Sequence, residues 1–106
     1  MNIHCDGDTL YVTTIKELDT ASADSFRTAV SAAWSDALRH IEVDLAETIC
    51  LDSCGLGALA WLRKLVADRG GRVRLLNPTP SIQQILDLTR LYRLFDIVHR
   101  EQMVAR

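Results

Sequence analysis

The sequence predicts one α/β domain, and three observations carry that prediction. Its 106 residues suffice for one hydrophobic core and not two. Two strand-like runs around a turn open the chain, and a strand, helix, strand unit spans residues 40 to 76. Hydrophobic residues at 48% and charged residues at 25% place the chain among packed domains and away from disordered ones.

Ile3 to Cys5 and the β-branched, aromatic run Thr9 to Ile15 flank Asp6-Gly7-Asp8, the pattern of a hairpin. Asp19 and Thr20 are capping residue types, and Ala23, Phe26, Val30, Ala33 and Ala37 recur three or four apart. Together they predict a helix from Ala21 to about Leu38, with Asp24, Arg27, Ser31 and Asp36 on its solvated side. His40 to Leu45 alternates Ile41, Val43 and Leu45 with His40, Glu42 and Asp44, the period of a strand with one buried face. Ile49-Cys50-Leu51 is a second apolar run, leading into Asp52-Ser53-Cys54-Gly55.

From about Gly55 to Asp68 the spacing predicts a helix that is apolar nearly all round, interrupted only by Arg63 and Lys64. Gly70-Gly71 ends it, since glycine takes a left-handed termination without a Cβ penalty. Arg72 to Leu76 is the strand that completes the unit, and such units pair in parallel through a right-handed crossover. Pro80 suits the first position of a helix whose apolar side is Ile82, Ile85, Leu86 and Leu88. Thr89 to Arg93 then connects to a short edge strand, Leu94 to Val98. Arg100 to Arg106 reads as a frayed tail or a last helical turn.

Composition excludes several function classes. Twelve Lys and Arg against fourteen Asp and Glu give a net charge of −2, without the basic excess of a nucleic-acid binder. Met1 to Asp8 lacks the basic and apolar regions of a signal peptide, and no window holds the roughly 18 apolar residues of a membrane span. A cytoplasmic location without membrane insertion is therefore expected. Cys5, Cys50 and Cys54 read as small apolar residues: Cys50 and Cys54 do not form a C-x-x-C, and no paired histidine stands near them. No metal, disulfide or cofactor is expected. His4, His40 and His99 stand outside any triad context, and neither a G-x-S-x-G elbow nor a phosphate loop is present, so no catalytic residue is assigned and the chain is not read as an enzyme.

The distinctive stretch is Leu51-Asp52-Ser53-Cys54-Gly55-Leu56-Gly57, a polar bend between an apolar run and an apolar helix. A helix N-terminus presents unpaired N–H groups and the positive end of the dipole, so Asp52 or Ser53 can cap it and a phosphate on Ser53 would be favoured there. Gly55 and Gly57 would leave the serine hydroxyl approachable. The same residues also serve as an ordinary cap and glycine turn. Trp61 and the first helical turns, with Leu56, Leu59 and Ala60, either cover the sheet or meet a partner docked at Ser53.

Val43-Asp44-Leu45 followed by Leu51-Asp52-Ser53-Cys54-Gly55-Leu56-Gly57 resembles the signature of the STAS domain, in particular that of bacterial anti-sigma factor antagonists. Glu17-Leu18-Asp19-Thr20-Ala21, Gly70-Gly71 before the Arg72 to Leu76 strand, and Leu88-Thr89 through Leu94-Phe95-Asp96 agree in order and spacing. The resemblance covers nearly the whole chain and implies a single STAS domain over residues 1–106. Its fold would be a mixed β-sheet of four to five strands with helices packed mainly on one side.

The resemblance also implies that Ser53 is phosphorylated by a serine-protein kinase that is itself the anti-sigma factor, and reset by a phosphatase. Asp52, Ser53, Cys54, Gly55, Leu56 and Gly57 would form the partner-binding stretch. The unmodified protein would bind the anti-sigma factor and free a sigma factor. A second role on the same fold is a cytosolic accessory subunit of a lipid-trafficking ABC transporter, and a third is nucleotide binding or scaffolding in a stress-signalling complex. Cys54 stands where serine, threonine or alanine is common in the family. Lys16 and Arg90 stand where glycine is frequent, which predicts altered turns there.

Overall fold

Gly7 takes φ +63°, the left-handed conformation that a tight hairpin turn requires. It folds β1 (Asn2–Asp6) back on β2 (Thr9–Thr13) in the computed structural model, which describes residues 1–100. Then follow β3 (Glu17–Leu18), α1 (Ala23–Ala33), β4 (His40–Asp44), β5 (Cys50–Leu51) and α2 (Ser53–Ala67). The chain continues through β6 (Val73–Leu76), α3 (Pro80–Leu88), a 3-10 turn at Leu91–Leu94 and β7 (Asp96–Val98).

Five strands form one mixed sheet in the order β1-β2-β4-β6-β7, with β1 antiparallel to β2 and the other pairings parallel. The expected parallel pairing across residues 40 to 76 is the β4–β6 ladder, Ile41 opposite Val73 and Val43 opposite Leu75. In register with these lie Leu10 and Val12, so one face of the sheet is a continuous apolar surface on which the helices pack. The row across the other face is polar: His4, Tyr11, Glu42, Arg74 and Asp96.

Three expectations need correction. Glu42 belongs to the expected solvent side of its strand, yet it is buried at 5% exposure, because β4 is central and Arg74 Nη1 donates to Glu42 Oε2 at 3.0 Å. The first helix begins at Ala23 and ends at Ala33, not near Leu38. Its C-terminal neighbours are held by Arg69, whose Nη1 donates to the carbonyls of Ser35 (2.7 Å) and Leu38 (2.9 Å) and whose Nη2 donates to Asp36 Oδ1. The same guanidinium lies 5.4 Å over the Trp34 ring, a cation–π contact. A long-range partner thus holds the carbonyls of Ser35 and Leu38 in the non-helical course that follows Ala33. The last strand starts at Asp96, two residues later than expected, because Leu91–Leu94 coils into the 3-10 turn.

The turn-forming residues behave according to type. Thr79 Oγ1 accepts from the Ile82 N–H with Pro80 in the first turn, and Gly70 at φ +66° ends α2. Arg90 takes φ +60°, so this turn keeps the left-handed geometry glycine would supply, at a steric cost of about 1–2 kcal/mol. Lys16 is not among the residues with positive φ, and its carbonyl accepts from the Ile49 N–H at 2.8 Å. Beyond Arg100, the expected tail or helical turn lies outside the described residues.

Candidate functional site

The bend before α2 is built by β3 and β5, two parallel strands of two residues each. Glu17 lies opposite Cys50 and Leu18 opposite Leu51, which brings Asp19 and Thr20 over the start of α2. Asp52 is the N-cap residue, with extended backbone at φ −115° and ψ −172°. Its Oδ1 accepts from the Gly55 N–H at 3.0 Å, while its Oδ2 accepts from both the Thr20 N–H (2.9 Å) and the Thr20 hydroxyl (2.8 Å). Hydrogen bonding, first of all by the Gly55 N–H and then by Thr20, holds the Asp52 carboxyl below its usual range against the opposing pull of lost hydration. At neutral pH it is a fixed carboxylate.

Ser53 follows as the first residue of α2 and is exposed; among the described residues no hydrogen bond engages its Oγ. Cys54 is exposed beside it, with Sγ 3.4 Å from Thr20 Oγ1. The single Thr20 hydroxyl proton goes to the carboxylate, the stronger acceptor, which leaves the Cys54 S–H as the donor to that oxygen. Cys50 lies half-buried with Sγ 3.7 Å from Asp19 Oδ2. Partial loss of hydration pushes its thiol pKa up, and the Asp19 carboxylate pushes the same way.

Of the six residues in the expected binding stretch, Ser53, Cys54 and Gly57 are exposed and Asp52 and Leu56 are half-buried. Gly55 is buried, which corrects its expected part in opening space around the serine. A Cβ there would lie 2.7 Å from the Leu18 carbonyl carbon and 2.9 Å from Leu51 Cδ1. Gly55 therefore lets β3 close on the helix. Gly57 carries no such constraint, the nearest atom to a Cβ being Arg27 Nη2 at 3.6 Å. Trp61 packs half-buried against the core, while Leu59 is fully buried.

Sequence reasoning missed Thr20. Its type and position predict a cap for α1, but Asp19 does the turn-building there, its Oδ1 accepting from the N–H groups of Ala21 (3.1 Å) and Ser22 (3.2 Å). Thr20 is thereby freed to hold Asp52. Ile49, 78% exposed, is the other surprise of this edge. Among the described residues no group of three or more His, Cys, Asp or Glu side chains is placed to hold a metal ion. No helix among them is long and apolar enough to cross a membrane.

The model of the STAS domain matches residues 1–103 of the chain. An anti-sigma F factor antagonist of Paenibacillus polymyxa is 28% identical over 86 residues, covering 80% of this chain and 74% of that protein. Among solved structures, the anti-sigma factor antagonist SpoIIAA in its unphosphorylated form superposes with a TM-score of 0.82 at 20% identity, over 95% of this chain and 88% of that one. The Bacillus cell fate determinant SpoIIAA in the phosphorylated form does so with a TM-score of 0.74 at 20% identity, over 95% and 91% of the two chains. At these identities the structural likeness is one of fold.

Proposed function

The chain belongs to the STAS domain family, and on that premise we propose that it is an anti-sigma factor antagonist switched by phosphorylation at Ser53. Unmodified, it holds an anti-sigma factor that is also a serine-protein kinase, and so frees a sigma factor. Phosphorylated, it lets go, and a phosphatase resets it. It works in the cytoplasm as a binding module, with no reaction of its own and no contact with nucleic acid.

The observation that carries this reading is the placement of Ser53, exposed at the start of α2 beside a carboxylate that Gly55 and Thr20 keep charged. The antagonist name of the Paenibacillus relative and the existence of SpoIIAA in both phosphorylation states support it. Asp52, Ser53, Cys54, Leu56 and Gly57 supply the contact surface, with Gly55 beneath it.

The switch follows from charge placement. Phosphorylation adds roughly 1.5 to 2 negative charges and three acceptor oxygens. In the free protein, water and the N–H groups at the helix start solvate them. Under a docked partner the water is gone, and the phosphate faces the Asp52 carboxylate, which its donors keep ionised. The penalty falls on the complex alone, and about 3 kcal/mol of it is more than a hundredfold in affinity.

The test is a quantitative pull-down from host lysate with tagged wild type, Ser53→Ala and Ser53→Asp. A serine kinase of the anti-sigma type is expected with wild type and Ser53→Ala and lost with Ser53→Asp. Equal recovery with all three sinks the switch, and transporter subunits recovered equally by all three would assign the accessory-subunit role instead.

A further inference from the structure

At the opposite end of α2 from Ser53, a cleft of about 400 Å³ opens between the last turn of the helix, the 3-10 turn and the first residues of β6 and β7. Three guanidinium-bearing residues line it: Arg63 of α2, Arg72 in the link just before β6 and Arg93 of the 3-10 turn. Among the described residues Asp96 is the one acidic residue lining it, and it is committed, its two oxygens 3.2 and 3.4 Å from Arg72 Nη1. Among the described residues neither Arg63 nor Arg93 has a carboxylate within salt-bridge distance. A chain with more acidic than basic side chains thus places two guanidinium groups with no carboxylate partner among the described residues around one concavity.

The negative end of α2 also points this way, but its carbonyls are occupied. The Val66 carbonyl accepts from the N–H groups of Arg69 and Gly71, and the Ala67 carbonyl from that of Gly70. The lining also includes buried Val66, Val73 and Phe95. Forked guanidinium donors match phosphate oxygens geometrically, and a concavity of this volume is the size that small molecules occupy. We infer that this cleft binds a small molecule through a phosphate or diphosphate group, with Arg63 and Arg93 as its principal donors and Arg72 held in place by Asp96. The site is separate from the Ser53 surface: Arg63 stands ten positions after Ser53 in α2, about 15 Å along the helix axis.

Pyrophosphate is the probe. Titrated at constant ionic strength into the isotopically labelled chain, it is expected to move the NMR signals of the Arg63, Gly70, Gly71 and Arg93 amides and of the Arg63 and Arg93 side-chain Nε–H groups along saturating curves. Those of Arg27, which lies beside Gly57 near the other end of α2, should stay still. Arg63→Gln and Arg93→Gln should each weaken binding about tenfold while leaving the melting temperature within a few degrees, since both side chains are exposed. Non-saturating shifts, shifts spread equally over all arginines, or affinity unchanged in both variants would overturn the assignment.

Discussion

Two glycines two residues apart in α2 should respond to the same substitution with opposite sign. Inside a helix, alanine is favoured over glycine by about 0.8–1.0 kcal/mol. At Gly57 the added methyl meets nothing closer than Arg27 Nη2 at 3.6 Å, an ordinary contact with the end of a flexible side chain. Gly57→Ala should therefore gain most of the propensity term. For a domain of this size that raises the melting temperature by about 4–8 °C.

At Gly55 the methyl would run into the Leu18 carbonyl, with that carbon at 2.7 Å and Leu51 Cδ1 at 2.9 Å, where 3.4 to 4 Å is ordinary contact. Backbone must move by the better part of an ångström. Overpacking of this kind costs about 1–3 kcal/mol, and a carbonyl held by the β3–β5 ladder yields less readily than a side chain. After the propensity gain, Gly55→Ala should still lose about 1–2 kcal/mol, or roughly 4–16 °C. The displaced β3 also carries Thr20 away from Asp52, so partner binding should fall together with stability. Thermal unfolding by circular dichroism, with urea titrations followed by Trp34 and Trp61 fluorescence, reads both variants. Melting temperatures shifted in the same direction, or Gly55→Ala indistinguishable from wild type, would refute the packing argument.

Asp52 has its pKa lowered in the folded state, so its contribution to stability is fully present above the unfolded carboxylate value of about 3.9 and is lost as pH falls through the lower folded value. The urea midpoints of wild type and Asp52→Ala should thus differ at neutral pH and draw together below about pH 4; a gap constant across that range would show that the cap does not act through the charged carboxylate. Cys50, with its thiol pKa pushed up and its side chain half-buried, should alkylate more slowly than exposed Cys5 and Cys54 at pH 8. Peptide mapping after limited iodoacetamide treatment measures the order, and Cys50 reacting first would contradict the environment described for it.

Much of the fold was legible residue by residue. Gly7 between Asp6 and Asp8 marked the hairpin, the alternation from His40 to Leu45 marked the central strand, and Pro80 and Gly70-Gly71 marked a helix start and a helix end, because each signal acts within a few residues of its cause. The Asp52-Ser53 bend was visible for the same reason: a capping residue announces itself beside the helix it caps.

What tertiary structure decided are the contacts made across the chain. β3 and β5 hold two residues each, too few for any periodicity, yet their pairing over 33 positions of sequence sets Thr20 against Asp52 and makes Gly55 a packing residue. Arg69 held the chain beyond Ala33 in a non-helical course that local propensity did not foretell, and the central place of β4 buried Glu42 against an alternation that put it in solvent. Local chemistry therefore determined which residues could cap, turn and pair, while the register of distant segments determined which of those capacities each residue spent.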